Sequence, residues 1–252
     1  MDLRLRPYGS AGGFASPLAA LEAYYRPGGD AAPWERQALI KLRWVAEDEG
    51  LGREVEALRD RFVYGGDPWP LDEAVHLRAR QARELVPAGR VNIKYSPGGI
   101  VDVEYTAQYL QVLHGPEHPE LRTTETLAAL DRLGALRILG QAERDELVGA
   151  YLFLRRLVDA LRMVRGSAKD LLLPERKSDE FSFLARRLSY RGSRWDEAAA
   201  RLAEDIRLHM GRVSALFAER FIPPESPASR LWRPASASSA RCEGPEPPGR
   251  SR

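Results

Sequence analysis

The sequence predicts a mainly α-helical bundle, on three observations. From residue 16 onward apolar residues recur at spacings of three and four, the period of a helix with one buried face. Several of these segments open on a capping residue or a proline. Strand-like alternation stands at residues 2–6, with no partner strand following soon after.

Taken in order, Asp2, Leu3, Arg4, Leu5 and Arg6 alternate polar and apolar, and Pro7 ends the run. Residues 8–17 are a Gly/Ser/Ala turn region. Ser16 and Pro17 then open a helix over 18–25, and Pro33 opens another over 34–44. Further helices are expected at 51–63, 71–86, 100–114, 123–137, 141–165, 178–190 and 195–221. In the 141–165 segment Leu147, Tyr151, Leu154, Val158 and Leu161 form one stripe. In the last helix Leu202, Ile206, Met210, Val213, Phe217 and Phe221 form another, and Ser193 with Asp196 gives it a capping-box variant. No heptad register persists through several helices, which favours a packed bundle over a coiled coil.

The chain has 252 residues, 44% hydrophobic and 29% charged, enough to bury a core in one or two domains. Residues 222–252 hold seven prolines and no periodicity, and they read as a disordered Pro/Ser-rich tail. The formal charge of +2 lies in that tail, which has five arginines and three glutamates; the rest is neutral. That balance argues against a protein built to grip nucleic acid or an anionic membrane. Of 38 basic residues four are lysines, leaving 34 arginines, a bias that a GC-rich coding sequence also produces. Cys242 is the single cysteine, no apolar run approaches the ~18 residues of a membrane span, and the first residues carry no signal-peptide core. A cytoplasmic location is the expectation.

Three constellations bear on chemistry. On a strand, Asp2, Arg4 and Arg6 share a face, placing a carboxylate beside two guanidiniums. Phosphoryl and nucleotidyl transfer use such parts, and a solvated edge strand has the same spacing. The second, residues 33–44, contains Glu35 and Gln37, which do not share a helical face; it reads equally as an amphipathic helix with aromatic anchors. The third is a Gly98-Gly99 pair before a helix that carries Asp102, Glu104, Gln108 and Gln111. A Gly-Gly pair there can offer backbone N–H groups to an anion, while acids in the first turn also suit the helix dipole. Asp102 and Glu104 would chelate one metal from a strand, but on a helix they stand about 200° apart. Glu104, Gln108 and Gln111 form a polar stripe expected to face a wet cleft. The four histidines are scattered.

Together these motifs resemble the glutamine synthetase adenylyltransferase/deadenylylase family, also called glutamate-ammonia-ligase adenylyltransferase. The likeness lies in Asp-x-Arg-Leu-Arg-Pro at 2–7, Trp-x-x-Gln-Ala-Leu at 34–39 and Gly-Gly-x-x-Asp-x-Glu-Tyr at 98–105, and it continues in order to about residue 221. The resemblance implies three parts. Residues 1–48 would be a remnant (last strand and helices) of an α/β nucleotidyltransferase catalytic domain. Residues 49–221 would be a helical domain of the PII-uridylyltransferase type, and 222–252 the tail. It implies Mg²⁺ as cofactor and ATP as substrate, with AMP moved to or from a tyrosine of glutamine synthetase, and PII protein as a further partner. Asp2 would be the catalytic, metal-binding carboxylate and Arg4 and Arg6 the phosphate ligands. Glu35, Gln37, Asp102, Glu104 and Gln108 are the cleft-lining candidates. The family's Gly-Ser turn and Asp-x-Asp pair belong upstream of Asp2, where the sequence has Met1, so the expectation is an N-terminally truncated copy, inactive alone. A non-catalytic helical module that binds glutamine synthetase or PII is the alternative.

Overall fold

A computed structural model describes residues 6–65, 69–167, 171–192 and 195–232. Residues 2–5 of the expected strand, with Asp2 and Arg4, lie outside the described residues, as does Ser193 of the expected cap, and Arg6 is in a bend. Among the described residues there are ten α-helices and no strand; the single ladder contact is an antiparallel bridge between Asn92 and Leu172. Helices α1 (Leu18–Tyr25), α2 (Glu35–Leu39) and α3 (Glu49–Val63) form a front unit. The bundle consists of α4 (Leu71–Glu84), α5 (Ile100–His114), α6 (Thr126–Ala135), α7 (Gln141–Arg165), α8 (Asp179–Arg187), α9 (Trp195–Phe221) and the short α10 (Ser229–Trp232).

Local chemistry sets several of these ends. The Asp48 carboxylate accepts from Leu51 N–H and starts α3, and the Ser178 hydroxyl accepts from Phe181 N–H and starts α8. Helix α7 stops at Gly166, whose φ of 62° is left-handed. Tertiary contacts override sequence preference elsewhere. The helix expected to run to residue 44 stops at Leu39, because α3 claims the following backbone: Glu56 accepts from Trp44 N–H and Arg59 donates to Leu42 O. Helix α6 starts at Thr126 rather than at 123, since the Thr123 and Thr124 carbonyls accept from Gln111 and Lys41.

The core lies among α5, α6, α7 and α9, with α8 closing one side. The expected α7 stripe is buried at Leu147, Leu154, Val158 and Leu161, with Tyr151 at its edge. The whole α9 stripe from Leu202 to Phe221 is buried as expected. Each fully buried leucine contributes about 1.5–3 kcal/mol of transfer free energy. Tyr24, Tyr25 and Leu58 make a separate small cluster in the front unit, and α2 contacts both α3 and α5, joining the two.

The boundary expected at 222 is not where packing ends. Ile222 and Trp232 are buried in the core, and Trp232 stacks on Phe217 at 5.3 Å. Prolines 223, 224 and 227 shape a turn that leads into α10 rather than preventing order, because one indole supplies the apolar area the segment otherwise lacks. Residues 233–252 lie outside the described residues.

Glu143 fastens the two long helices. Its carboxylate accepts from Gly140 N–H at the start of α7 and from Arg220 on α9 at 2.8 and 2.9 Å. Burial pushes the Glu143 carboxyl up, but the Arg220 and Gly140 hydrogen bonds and the Arg220 charge outweigh it, and its pKa is lowered. A lowered carboxyl contributes stability that is complete above its ordinary value of 4.5 and is lost as pH falls through the folded value. Glu143→Gln should therefore cost about 1 kcal/mol at pH 7 and progressively less below about pH 4, as read by urea unfolding across pH.

Candidate functional site

Helix α2 is one turn long, and its side chains organise the front of the molecule. Glu35 reaches back to accept from Ala32 N–H at 3.0 Å and from the Tyr24 hydroxyl at 2.8 Å. Tyr24 in turn meets Tyr8 and Tyr25 edge to face, at 4.9 and 4.8 Å. These rings make one wall of a cleft of about 510 Å³, bounded by Arg6, Tyr8, Tyr24, Trp34, Glu35 and Lys41. Arg6 donates through Nε to Gly12 O and lies 5.0 Å over the Phe14 ring. Two sequence candidates, Arg6 and Glu35, thus meet in one cleft.

Next to this cleft runs the seam between α2 and α5. Gln37 donates through Nε2 to Gln108 Oε1 at 2.8 Å, joining residues 71 positions apart. Lys41 donates to Thr124 O and to Thr126 Oγ1, at 2.8 and 2.9 Å, tying the front unit to the start of α6. Glu104 lies half-buried in the field of Lys41, Lys94 and Arg155, yet burial outweighs the three cations and raises its carboxyl pKa. Burial likewise lowers the pKa of Lys41. A half-buried carboxylate beside a lysine whose pKa is lowered, although Lys41 itself is exposed, is an arrangement that clusters at functional sites.

The expected polar stripe on α5 does not face a wet cleft throughout. Gln108 and Gln111 are buried, and Gln111 donates to the Leu121 and Thr123 carbonyls as an internal clamp. Of the three, only Glu104 is half-buried rather than buried.

Asp102 is not a cleft residue either. It is fully buried, and three donors converge on it: Arg78 Nε at 2.6 Å, Gly98 N–H at 2.6 Å and the Trp232 indole N–H at 2.8 Å. Burial raises its pKa, against the pull of Arg78, Trp232 and Gly98. With its lone pairs so committed, Asp102 has no place for a metal, and it cannot pair with Glu104. Among the described residues no group of three His, Cys, Asp or Glu side chains gathers at all. The Gly98-Gly99 turn offers nothing to an external anion. Gly98 N–H serves Asp102, and the N–H groups of Ile100 and Val101 serve the Ile93 and Lys94 carbonyls. Gly98 has to be glycine for two reasons: φ is +77°, and a Cβ would stand 1.9 Å from Met210 O.

Sequence reasoning missed Arg78, Trp232 and Lys41. Arg78 is one of 34 arginines and Trp232 lies in the Pro-rich end, so neither carries a local signal. Lys41 does: it is one of four lysines, and Lys94, which also acts on Glu104, is another.

Two family models match this chain. Residues 1–58 match the one described as glutamate-ammonia ligase adenylyltransferase, and residues 72–221 match the one described as GlnD PII-uridylyltransferase. The first match ends within α3 and the second begins at the start of α4, so the Gln37–Gln108 bond joins one matched region to the other.

Two outcomes are expected. Asp102→Asn should lower unfolding free energy by about 3–5 kcal/mol by leaving Arg78 uncompensated, and should leave Mg²⁺ and Mn²⁺ titrations unchanged. A metal response present in wild type and lost in the variant would restore Asp102 as a ligand. Glu104→Gln should raise stability at pH 8. A carboxyl raised in the folded state loses stability as pH climbs from the unfolded value to the folded one, so the gain should vanish below the ordinary 4.5.

Proposed function

We propose that the chain, which belongs by more than half its length to the family described as GlnD PII-uridylyltransferase and matches glutamate-ammonia ligase adenylyltransferase over residues 1–58, is part of a cytoplasmic enzyme of the adenylyltransferase type that moves AMP between ATP and a tyrosine of glutamine synthetase. The observation that supports this most is the direct attachment of the two matched regions through Gln37–Gln108 and Lys41–Thr126. The residues lining the cleft at Arg6 all come from the first matched region, and one of them, Lys41, is bonded across to Thr126 in the second. No helix among the described residues is long and apolar enough to cross a membrane.

Within this reading the chain's own residues bind and orient. Arg6 meets phosphate oxygens, as a guanidinium suits. Trp34, about half exposed on the cleft, offers a flat face to a purine. Glu35 holds Tyr24 and the start of α2 in place. The implied Mg²⁺ finds no fitting set of acids among the described residues, and Asp2 lies outside them, so no step is derived through the metal.

The exposed Phe14, Trp44 and Val45 favour a second reading, a helical module that docks glutamine synthetase or PII without chemistry. One experiment separates the two. The purified chain is titrated with ATP, then incubated with glutamine synthetase, ATP and Mg²⁺, and AMP-tyrosine is read by mass spectrometry. Saturable ATP binding that weakens about tenfold in Arg6→Ala, equivalent to about 1.4 kcal/mol, with no AMP incorporation supports the nucleotide cleft of an enzyme part inactive alone, and AMP incorporation supports the enzyme while overturning its inactivity alone. Binding of glutamine synthetase or PII with neither supports the docking module. The absence of all three overturns both readings.

A further inference from the structure

A second concavity, of about 760 Å³, lies between α8, α9, α10 and the loop segments 89–97 and 173–176, and shares no residue with the cleft at Arg6. Its floor is apolar and rigid: Phe181, Ile206, Met210 and Trp232 are all buried core side chains. Volume and lining of this kind suit a small organic ligand.

Two features narrow its chemistry. The first is Gly211, in the middle of the 27-residue α9. Glycine is the poorest helix former after proline, yet a Cβ at Gly211 would meet nothing within 4 Å. No neighbour requires the residue to be small; its effect is to leave open space over the floor. The second is the rim, where Arg90, Arg176 and Arg207 stand against Glu175. Glu204 already holds Arg207 through a two-point ion pair, so the charge offered to a ligand rests on Arg90 and Arg176. Arg90 is exposed and anchored by donation to Leu173 O at 3.3 Å.

We propose that this groove binds a small amphipathic anion, with its apolar or aromatic body over Gly211 and against Met210 and Trp232, and its anionic group at Arg90 and Arg176. Trp232 forms part of the groove and also donates to Asp102 at the start of α5. An occupant therefore packs against the side chain that closes the buried ion pair.

The test uses the full chain and two fluorescent probes, anilinonaphthalene sulfonate and its uncharged counterpart phenylnaphthylamine. The sulfonate should bind one saturable site. Gly211→Leu, which fills the open space with a better helix former, should weaken both probes by about tenfold or more without lowering Tm. The exposed double variant Arg90→Ala/Arg176→Ala should weaken the sulfonate about tenfold and leave the neutral probe unchanged. Unaltered binding to a folded Gly211→Leu overturns the site. Equal effects of the arginine pair on both probes overturn the anionic assignment, and should Gly211→Leu fail to fold, the arginine pair still decides.

Discussion

The Asp102–Arg78 ion pair is the constraint on which the rest of the arrangement depends. Both side chains are fully buried, and removing two charges from water costs more than their attraction returns unless other donors and acceptors complete the site. Here they do. Arg78 donates through Nη2 to the Tyr95 and Ser96 carbonyls and lies 5.4 Å over the Trp232 ring, while Asp102 takes the Gly98 and Trp232 N–H groups. One network therefore holds α4, the loop before α5, α5 itself and α10. Removing the partner that any one of these four pieces supplies would leave buried charge less compensated.

That network accounts for the ordering of a segment whose composition argues against it. Residues 222–232 carry three prolines and little apolar area. The indole of Trp232 offsets their ordering entropy by filling a core position against Phe217 and donating into the ion pair at once.

On the opposite side of α5 the same helix presents Glu104 and Gln108 to the front unit. Gln37 and Lys41 cross that seam, and Glu104 is held there at a cost in desolvation that three neighbouring cations do not remove. Helix α5 thus connects two regions: the cleft of Arg6, Trp34 and Glu35 through α2, and the groove over Gly211 through Asp102 and Trp232.

What the sequence by itself determined was the helical class, the positions of the long helices and their buried stripes. These follow from a period of three to four residues, which is a local property of the chain. The resemblance of its motifs was legible for the same reason, and Arg6 and Glu35, each read from a short motif, do share a cleft. Only the tertiary structure decided the rest. It stopped α2 at Leu39 by giving the next backbone groups to α3, sealed Asp102 and Gln111 inside, turned the glycine pair inward, and brought Trp232 across 130 residues to a carboxylate. Whether a carboxylate in the first turn of a helix meets water, metal or an arginine depends on what packs over it. That is set by contacts between residues far apart in sequence, which no local pattern records.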